Sequence, residues 1–226
     1  MSIERVAIIG LGLLGGSIGL AIAERAPEIV TTGYDRDPDV RKAAAARGLT
    51  NILLDTASEA VATADLVILC VPVGAMEAAA RELAPHLPAE AIISDVGSSK
   101  KSVIEALGAA LPGRTVIPAH PVAGTEQSGP NAGFPTLFAG RWCILTPPMG
   151  TDQAALEALS DFWTRLGARV EMMDPDHHDL VLAVTSHIPH LIAFTIVGTA
   201  SDLEEVTRSE VIKYSAGGFR DFTRIA

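Results

Sequence analysis

Four apolar residues, Val6 to Ile9, run without a polar break into Gly10-Leu11-Gly12-Leu13-Leu14-Gly15. Beyond the glycines the apolar positions fall at helical spacing, on Ile18, Leu20, Ala21 and Ile22. That change of period predicts strand, tight turn and helix. The alternation then repeats. Ile29 to Asp35 reads as a strand, and Pro38 to Arg47 as a helix closed by Gly48. Asn51 to Leu54 is a short strand and Ser58 to Ala62 a brief helix. Asp65 to Pro72 is apolar on both faces, as buried parallel strands are. A helix over Ala75–Leu87 and a strand over Ala91–Val96 follow. Gly97-Ser98-Ser99-Lys100 then opens a helix to Ala110, with a serine as its expected N-cap. Thr115 to Ala119 is a strand that ends at His120. Gly124 to Phe138 has many turn residues and little periodicity, and long loops in compact domains are usually functional. Arg141–Pro147, Asp152–Leu166 and Ala168–Met173 close the series as strand, helix and strand. Strand and helix in alternation predict an α/β fold, a doubly wound, mainly parallel sheet whose last strands are mixed.

The period changes at Asp174-Pro175-Asp176, after which only helical spacing is found. One helix is expected from Asp176 to about Ala200, kinked at Pro189, and another from Asp202 to Tyr214. Gly217-Gly218 reads as a flexible joint, with helix resuming at Phe219. The chain thus divides into residues 1–173 and a small all-helical region, 174–226. The apolar faces of the second part exceed what it can bury alone, so it is expected to pack against a partner subunit.

Composition narrows the classes. With 226 residues and 48% hydrophobic content, the chain fills one large core or two modest ones. A net charge of −10 argues against nucleic acid and anionic membrane as partners. No apolar run is read as reaching the roughly 18 residues of a membrane helix. No signal peptide is read before the first strand, so a cytoplasmic protein is expected. Cys70 and Cys143 lie in apolar runs and read as reduced core thiols.

The glycines carry the first candidate chemistry. In a Rossmann-type unit Gly10 permits the turn, Gly12 lets a pyrophosphate lie against the backbone, and Gly15 lets helix pack on strand. The helix that begins at Leu13 and Leu14 presents free N–H groups to the phosphates. Asp35 ends the second strand about 20 positions after Gly15, where an acid accepts hydrogen bonds from a ribose. A carboxylate there repels a 2′-phosphate, so NAD is favoured over NADP. Arg36, next to it, can hold such a phosphate or stack on adenine. Val71 and Pro72, at a strand terminus, are expected along the cofactor edge.

Ligands bind beyond the carboxyl ends of such strands. His120, at a strand end beside a long loop, suits a proton acceptor for an alcohol under oxidation, or caps its own turn. Ser99 orients that imidazole or a substrate hydroxyl, or is a plain helix cap. His177 and His178 read as a solvated helix face, and His86 as surface. His187 and His190 share a helix face around Pro189 but lack a third ligand, so no metal is expected. Arg220 and Arg224, beside a glycine pair, are either surface charges or carboxylate forks.

Five segments occur in a telling order: Gly10 to Ser17, Asp95 to Lys100, His120-Pro-Val-Ala-Gly-Thr-Glu126, Ser186-His-Ile-Pro-His190, and Gly217 to Ala226. Together they resemble the prephenate/arogenate (cyclohexadienyl) dehydrogenases of tyrosine biosynthesis, over essentially the whole chain. The resemblance implies that His120 takes the ring hydroxyl's proton and Ser99 orients it. It implies that Arg224 binds a substrate carboxylate, that His190 and Glu126 line the pocket, and that Asp221 helps gate it. It also implies a homodimer built through further helices beyond the last motif, so the helical region is expected to be incomplete. An amine substrate calls for an acid partner, and Glu126 is the only acid in its loop. Gln127 and Asn131 suit a ketone, which favours prephenate over arogenate. Two other readings stand beside this one: a hydroxyacid or imine reductase using Lys213 as proton donor, and an NAD-responsive binding protein without chemistry.

Overall fold

The computed structural model describes residues 2–207 and 210–224. It separates into two compact units, Met1–His178 and Asp179–Ala226.

The first unit is built on a six-stranded, all-parallel sheet in the order β3-β2-β1-β4-β5-β6. Its strands are β1 (Arg5–Ile9), β2 (Val30–Tyr34), β3 (Ile52–Leu53), β4 (Leu66–Leu69), β5 (Ile92–Asp95) and β6 (Thr115–Val116). Between them lie α1 (Leu13–Arg25), α2 (Pro38–Arg47), α3 (Ala57–Val61), α4 (Met76–Leu83) and α5 (Lys101–Ala110). Every residue of β4 is fully buried, because helices cover both faces of the sheet. Val6 and Ile8 point into one core and Ala7 and Ile9 into the other, as the two-residue period of a strand requires. Asp37 caps α2 by accepting the Asp39 N–H at 2.8 Å, and Gly48 closes it in the left-handed conformation.

The seventh strand is where structure and expectation part. The run read as one strand, Thr115 to Ala119, is broken at Ile117-Pro118. Thr115–Val116 completes the parallel sheet, whereas β7 (Ala119–Pro121) joins a second sheet with β8 (Trp142–Leu145) and β9 (Arg169–Met172). Strand β7 runs antiparallel to β8, and β9 runs parallel to it, with α6 (Gln153–Arg165) between. Pro118 has no N–H to donate, so the ladder cannot continue through it. The second sheet shares the larger hydrophobic core, where Phe138 and Phe162 each meet Trp163 edge to face.

The long loop is pinned. Arg47 donates to the carbonyls of Pro130 and Gly133, and the Phe134 N–H donates to Ser17 Oγ at 3.1 Å.

Helix α7 (Pro175–Leu182) begins in the first unit. Asp174 caps it, accepting the N–H groups of Asp176 and His177 at 3.0 and 3.1 Å. The expected Pro189 kink is instead a π-helical turn, Ala183–His187, that leads into α8 (Ile188–Thr207). Proline cannot donate to the carbonyl four residues back, and a wider turn absorbs the mismatch. Helix α8 continues through Asp202, where a new helix was expected; α9 (Glu210–Lys213) follows, and residues 208–209 lie outside the described set. Gly217-Gly218 is no joint but the first turn of α10 (Gly217–Thr223), with Ala216 as N-cap. Among the described residues the second unit has no strand.

The expectation on hydropathy holds for continuous apolar runs but not for window averages. Within the 29-residue helical stretch Pro175–Leu203 an 18-residue window reaches a mean hydropathy of 1.9, long and apolar enough to cross a bilayer by those measures alone. The interrupting histidines, hydroxyls and proline had hidden it from a reading by continuous runs. Leu180, Val184, Leu191 and Phe194 are all more than half exposed.

Candidate active site

The dinucleotide elements assemble as the glycine spacing predicts. Gly10 sits at φ +97°, and a Cβ there would lie 2.5 Å from the Cys70 carbonyl oxygen. At Gly15 a Cβ would come within 1.9 Å of the Gly10 carbonyl oxygen. At Gly12, by contrast, a Cβ would meet nothing within 4 Å. The N-terminus of α1 therefore opens onto unfilled space, with Gly12 as N-cap and no acidic residue in the first turn. Leu13 and Leu14, half-buried, pack their side chains on the core. Asp35 holds this turn: its carboxylate accepts the Leu11 N–H at 2.8 Å and the Asp37 N–H at 3.0 Å. Gly10, Asp35, Arg36, Val71 and Pro72 line one cavity of about 330 Å³ beside β1 and β4. An anion-receptive helix end and a carboxylate at the tip of β2 fit a dinucleotide.

The second cluster forms around β7. His120 is 7% exposed and His178 is fully buried. Nδ1 of His120 lies 2.8 Å from Nε2 of His178, the rings edge to face at 68°. The expectation of a solvated His178 is therefore wrong. As the fourth residue of α7, His178 turns inward while His177, its neighbour, stays exposed. Helical spacing had supplied no reason to separate the two.

Beneath this pair is a buried ion pair that sequence reasoning also missed. Lys100 and Asp95 are both fully buried, 2.6 Å apart. Lys100 also donates to the Ala119 carbonyl at 2.7 Å, and the Ala119 N–H donates to Asp95 at 3.2 Å. The pair thus grips both backbone groups of the residue before His120 and couples the end of β5 to β7. The Gly97 N–H adds a third bond to Asp95 at 2.6 Å. Burial pushes the Asp95 carboxyl above the usual carboxylate range, against the pull of Lys100 and the two N–H groups. The signal in the sequence was a charged Asp-x-x-x-x-Lys at the end of an apolar strand.

Ser99 is half-buried just before α5 and does not cap it: the N-cap position is Lys100, whose side chain makes no bond to the helix's free N–H groups. The Ser99 hydroxyl instead lies 3.5 Å from that of Ser102. Glu126 is exposed in its loop, as is His86 on its turn. Burial raises the Cys70 and Cys143 thiols above their usual range; Cys143 is a core group, whereas Cys70 is half-buried beside the cavity lined by Gly10 and Asp35.

His190, Asp221 and Arg224 belong to the second unit, where each is exposed; Ile225 and Ala226 of the last motif lie outside the described residues. His190 Nδ1 lies 2.8 Å from the Ser186 carbonyl. A carbonyl only accepts, so the proton sits on Nδ1, and Nε2 of a neutral ring is an acceptor. No group of metal-binding residues occurs among the described residues.

Comparison with known proteins agrees with this architecture. Residues 18–172 match the nucleotide-binding domain of prephenate dehydrogenase, and residues 174–226 match its dimerization domain. The cyclohexadienyl dehydrogenase of Zymomonas mobilis is 45% identical over 99% of this chain and 76% of its own length. The prephenate dehydrogenase of Bacillus subtilis is 36% identical over 99% of this chain, which spans only 60% of that protein. Among solved structures, prephenate dehydrogenase from A. aeolicus, in complex with hydroxyphenyl propionate and NAD+, superposes with a TM-score of 0.90 at 33% identity, covering all of this chain and 78% of that one. The chain belongs to the prephenate dehydrogenase family of NAD-dependent oxidoreductases.

Proposed function

We propose that this chain oxidatively decarboxylates prephenate to 4-hydroxyphenylpyruvate in tyrosine biosynthesis, with NAD as oxidant, and that arogenate is a poorer substrate. The observation that carries the reading is the buried imidazole of His120 on β7, in a chain whose first unit holds a dinucleotide turn. Residues 1–173 carry the cofactor, and 174–226 carry substrate and dimer contacts.

Gly10, Gly12, Gly15 and the first turn of α1 hold the pyrophosphate, and Asp35 takes the ribose hydroxyls, with Arg36 beside the adenine. Bound NAD supplies the hydride acceptor. His120, neutral, takes the proton of the ring hydroxyl as the carbinol carbon is oxidised. The electron pair of the breaking carbon–carboxylate bond enters the ring, CO2 leaves, and the phenolic oxygen recovers a proton. Aromatisation makes the step effectively irreversible, so the protein contributes positioning and a base. Ser99 orients the hydroxyl, and Arg224 holds a carboxylate through a charge-assisted fork. His190 offers an acceptor nitrogen to the substrate. Glu126 is assigned to the substrate pocket and Asp221 to its gating, as the resemblance implies. Glu126 is the only acid in its loop that could pair with the amine of arogenate, whereas the neutral Gln127 and Asn131 suit the ketone, and this favours prephenate.

The exposed apolar stripe Leu180, Val184, Leu191 and Phe194 is the face by which two copies associate. That destination for the stripe, with the match to a dimerization domain, favours a cytoplasmic homodimer over a membrane helix.

The test is a spectrophotometric assay of prephenate and arogenate, each with NAD and NADP, following the reduced cofactor. Prephenate with NAD is expected to be fastest. A preference for arogenate overturns the substrate choice. Cofactor binding without reduction by either substrate identifies a binding protein instead. His120→Asn is expected to leave substrate binding nearly intact and to lower kcat by about 10²–10⁴-fold, the usual contribution of a positioned base. Turnover that survives it refutes the base assignment.

A further inference from the structure

The contact between His120 and His178 carries a consequence for which proton-bearing form of His120 the fold selects. Two ring nitrogens 2.8 Å apart share a single hydrogen, since two N–H groups cannot point at each other at that distance. The proton therefore sits on Nδ1 of His120 or on Nε2 of His178. In the first arrangement a neutral His120 carries its lone pair on Nε2 and can act as a base there. In the second, Nε2 of His120 already holds a proton and the ring cannot accept one. Reactivity thus depends on which histidine donates.

We propose that His178 is a positioning residue that accepts the Nδ1–H of His120, presents Nε2 of His120 as the base, and steadies the imidazolium formed when His120 takes the substrate proton. The proposal rests on the reading of His120 as that base. Both partners are held independently of each other. His120 is placed by Ala119, whose two backbone groups are gripped by Asp95 and Lys100. His178 is placed by α7, whose first turn Asp174 caps and whose Asp176 pairs with Lys101 at 2.9 Å. His178 donates its own N–H to the Asp174 carbonyl at 2.8 Å, so its ring leaves a formed helical turn. Burial, complete at His178 and nearly so at His120, keeps water from competing for the shared hydrogen. Because His178 is a neutral acceptor, it orients the ring without raising the basicity of His120 as strongly as a carboxylate does. That suits a base that must be unprotonated near neutral pH.

The ionisable groups on the elements around the pair are Asp95 and Lys100, joined to each other, the buried thiol of Cys143 on β8, Asp174 just before α7, and Asp176, His177 and Asp179 on α7. None of them is altered in the variants below. Glutamine places an acceptor oxygen near the position of Nε2, glutamate places a carboxylate there, and leucine places no polar atom.

The experiment measures kcat, KM and the pH profile of kcat/KM for prephenate with NAD in the full-length enzyme, alongside NAD affinity and thermal midpoint. For His178→Leu, kcat is expected to fall at least about tenfold with KM changed less than about threefold, a part of the 10²–10⁴ that a base contributes. His178→Gln is expected to recover most of that loss. His178→Glu is expected to move the acid limb of kcat/KM up by about one pH unit or more, because a neighbouring carboxylate favours the imidazolium. A folded His178→Leu variant with wild-type kcat overturns the proposal, and so does a His178→Glu variant whose acid limb stays where the wild type's lies, which decides the matter even where His178→Leu fails to fold. His120→Asn measured in parallel separates the two readings. Turnover surviving in His120→Asn refutes the base, whereas a dead His120→Asn beside unaffected His178 variants refutes only the positioning role.

Discussion

Lys100→Met removes the ammonium that bonds both Asp95 and the Ala119 carbonyl while nearly preserving side-chain volume. No cavity is created, so the loss reports the ion pair. Asp95 would remain fully buried with only the Gly97 and Ala119 N–H groups as partners. Breaking a buried pair by deleting one member costs about 3–5 kcal/mol, because an uncompensated charge stays behind. For a unit of this size each kcal/mol shifts the unfolding midpoint by about 2–4 °C, so a fall of roughly 6–20 °C is expected. The sign of the pH dependence follows from Asp95. Its folded pKa already lies above the ordinary carboxylate range through burial, and Lys100 is the largest influence that lowers it. Without Lys100 the folded pKa rises further. Between the unfolded and folded values the folded state holds more protons than the unfolded one, so stability falls as pH rises. The deficit relative to wild type should widen from the carboxylate range upward and narrow on acidification. Differential scanning calorimetry across that range is the assay, with kcat for prephenate measured on the same samples, since His120 follows the residue that the pair grips. Replacing both partners at once, Asp95→Asn with Lys100→Met, should recover part of the stability. A midpoint within about 2 °C of wild type at neutral pH, with kcat unchanged, would refute the argument.

Two more perturbations test the cofactor half of the site. Gly12→Val projects its side chain into open space, so thermal stability should hold while NAD affinity falls at least about tenfold. Gly15→Ala drives a Cβ into the Gly10 carbonyl and should cost stability first; calorimetry and NAD fluorescence titration distinguish the two patterns. Asp35→Ser should raise the NADP-to-NAD ratio of kcat/KM by removing the carboxylate that repels a 2′-phosphate. Some loss of stability should accompany it, because the Leu11 N–H loses its acceptor.

What was readable along the chain was whatever local spacing encodes. The apolar run Val6–Ile9, the glycines after it, Asp35 and the recurring change of period specify strands, helices and the dinucleotide turn, because each is settled within a few residues. His120 was legible for the same reason, as a polar residue at the end of an apolar run. The partners of that residue were not. His178 lies 58 positions away, and nothing in the helical spacing separates it from the exposed His177 beside it. Lys100 looked like a helix-start charge until folding buried it against Asp95. The crossing of the chain from one sheet to another at Ile117-Pro118 depends on which strand β7 finds as a neighbour, and Arg47 reaches the long loop only once α2 is packed. Such pairings are long-range contacts between groups that hold no mutual signal in the sequence. They exist because a packed interior leaves each buried polar atom few places to find a partner.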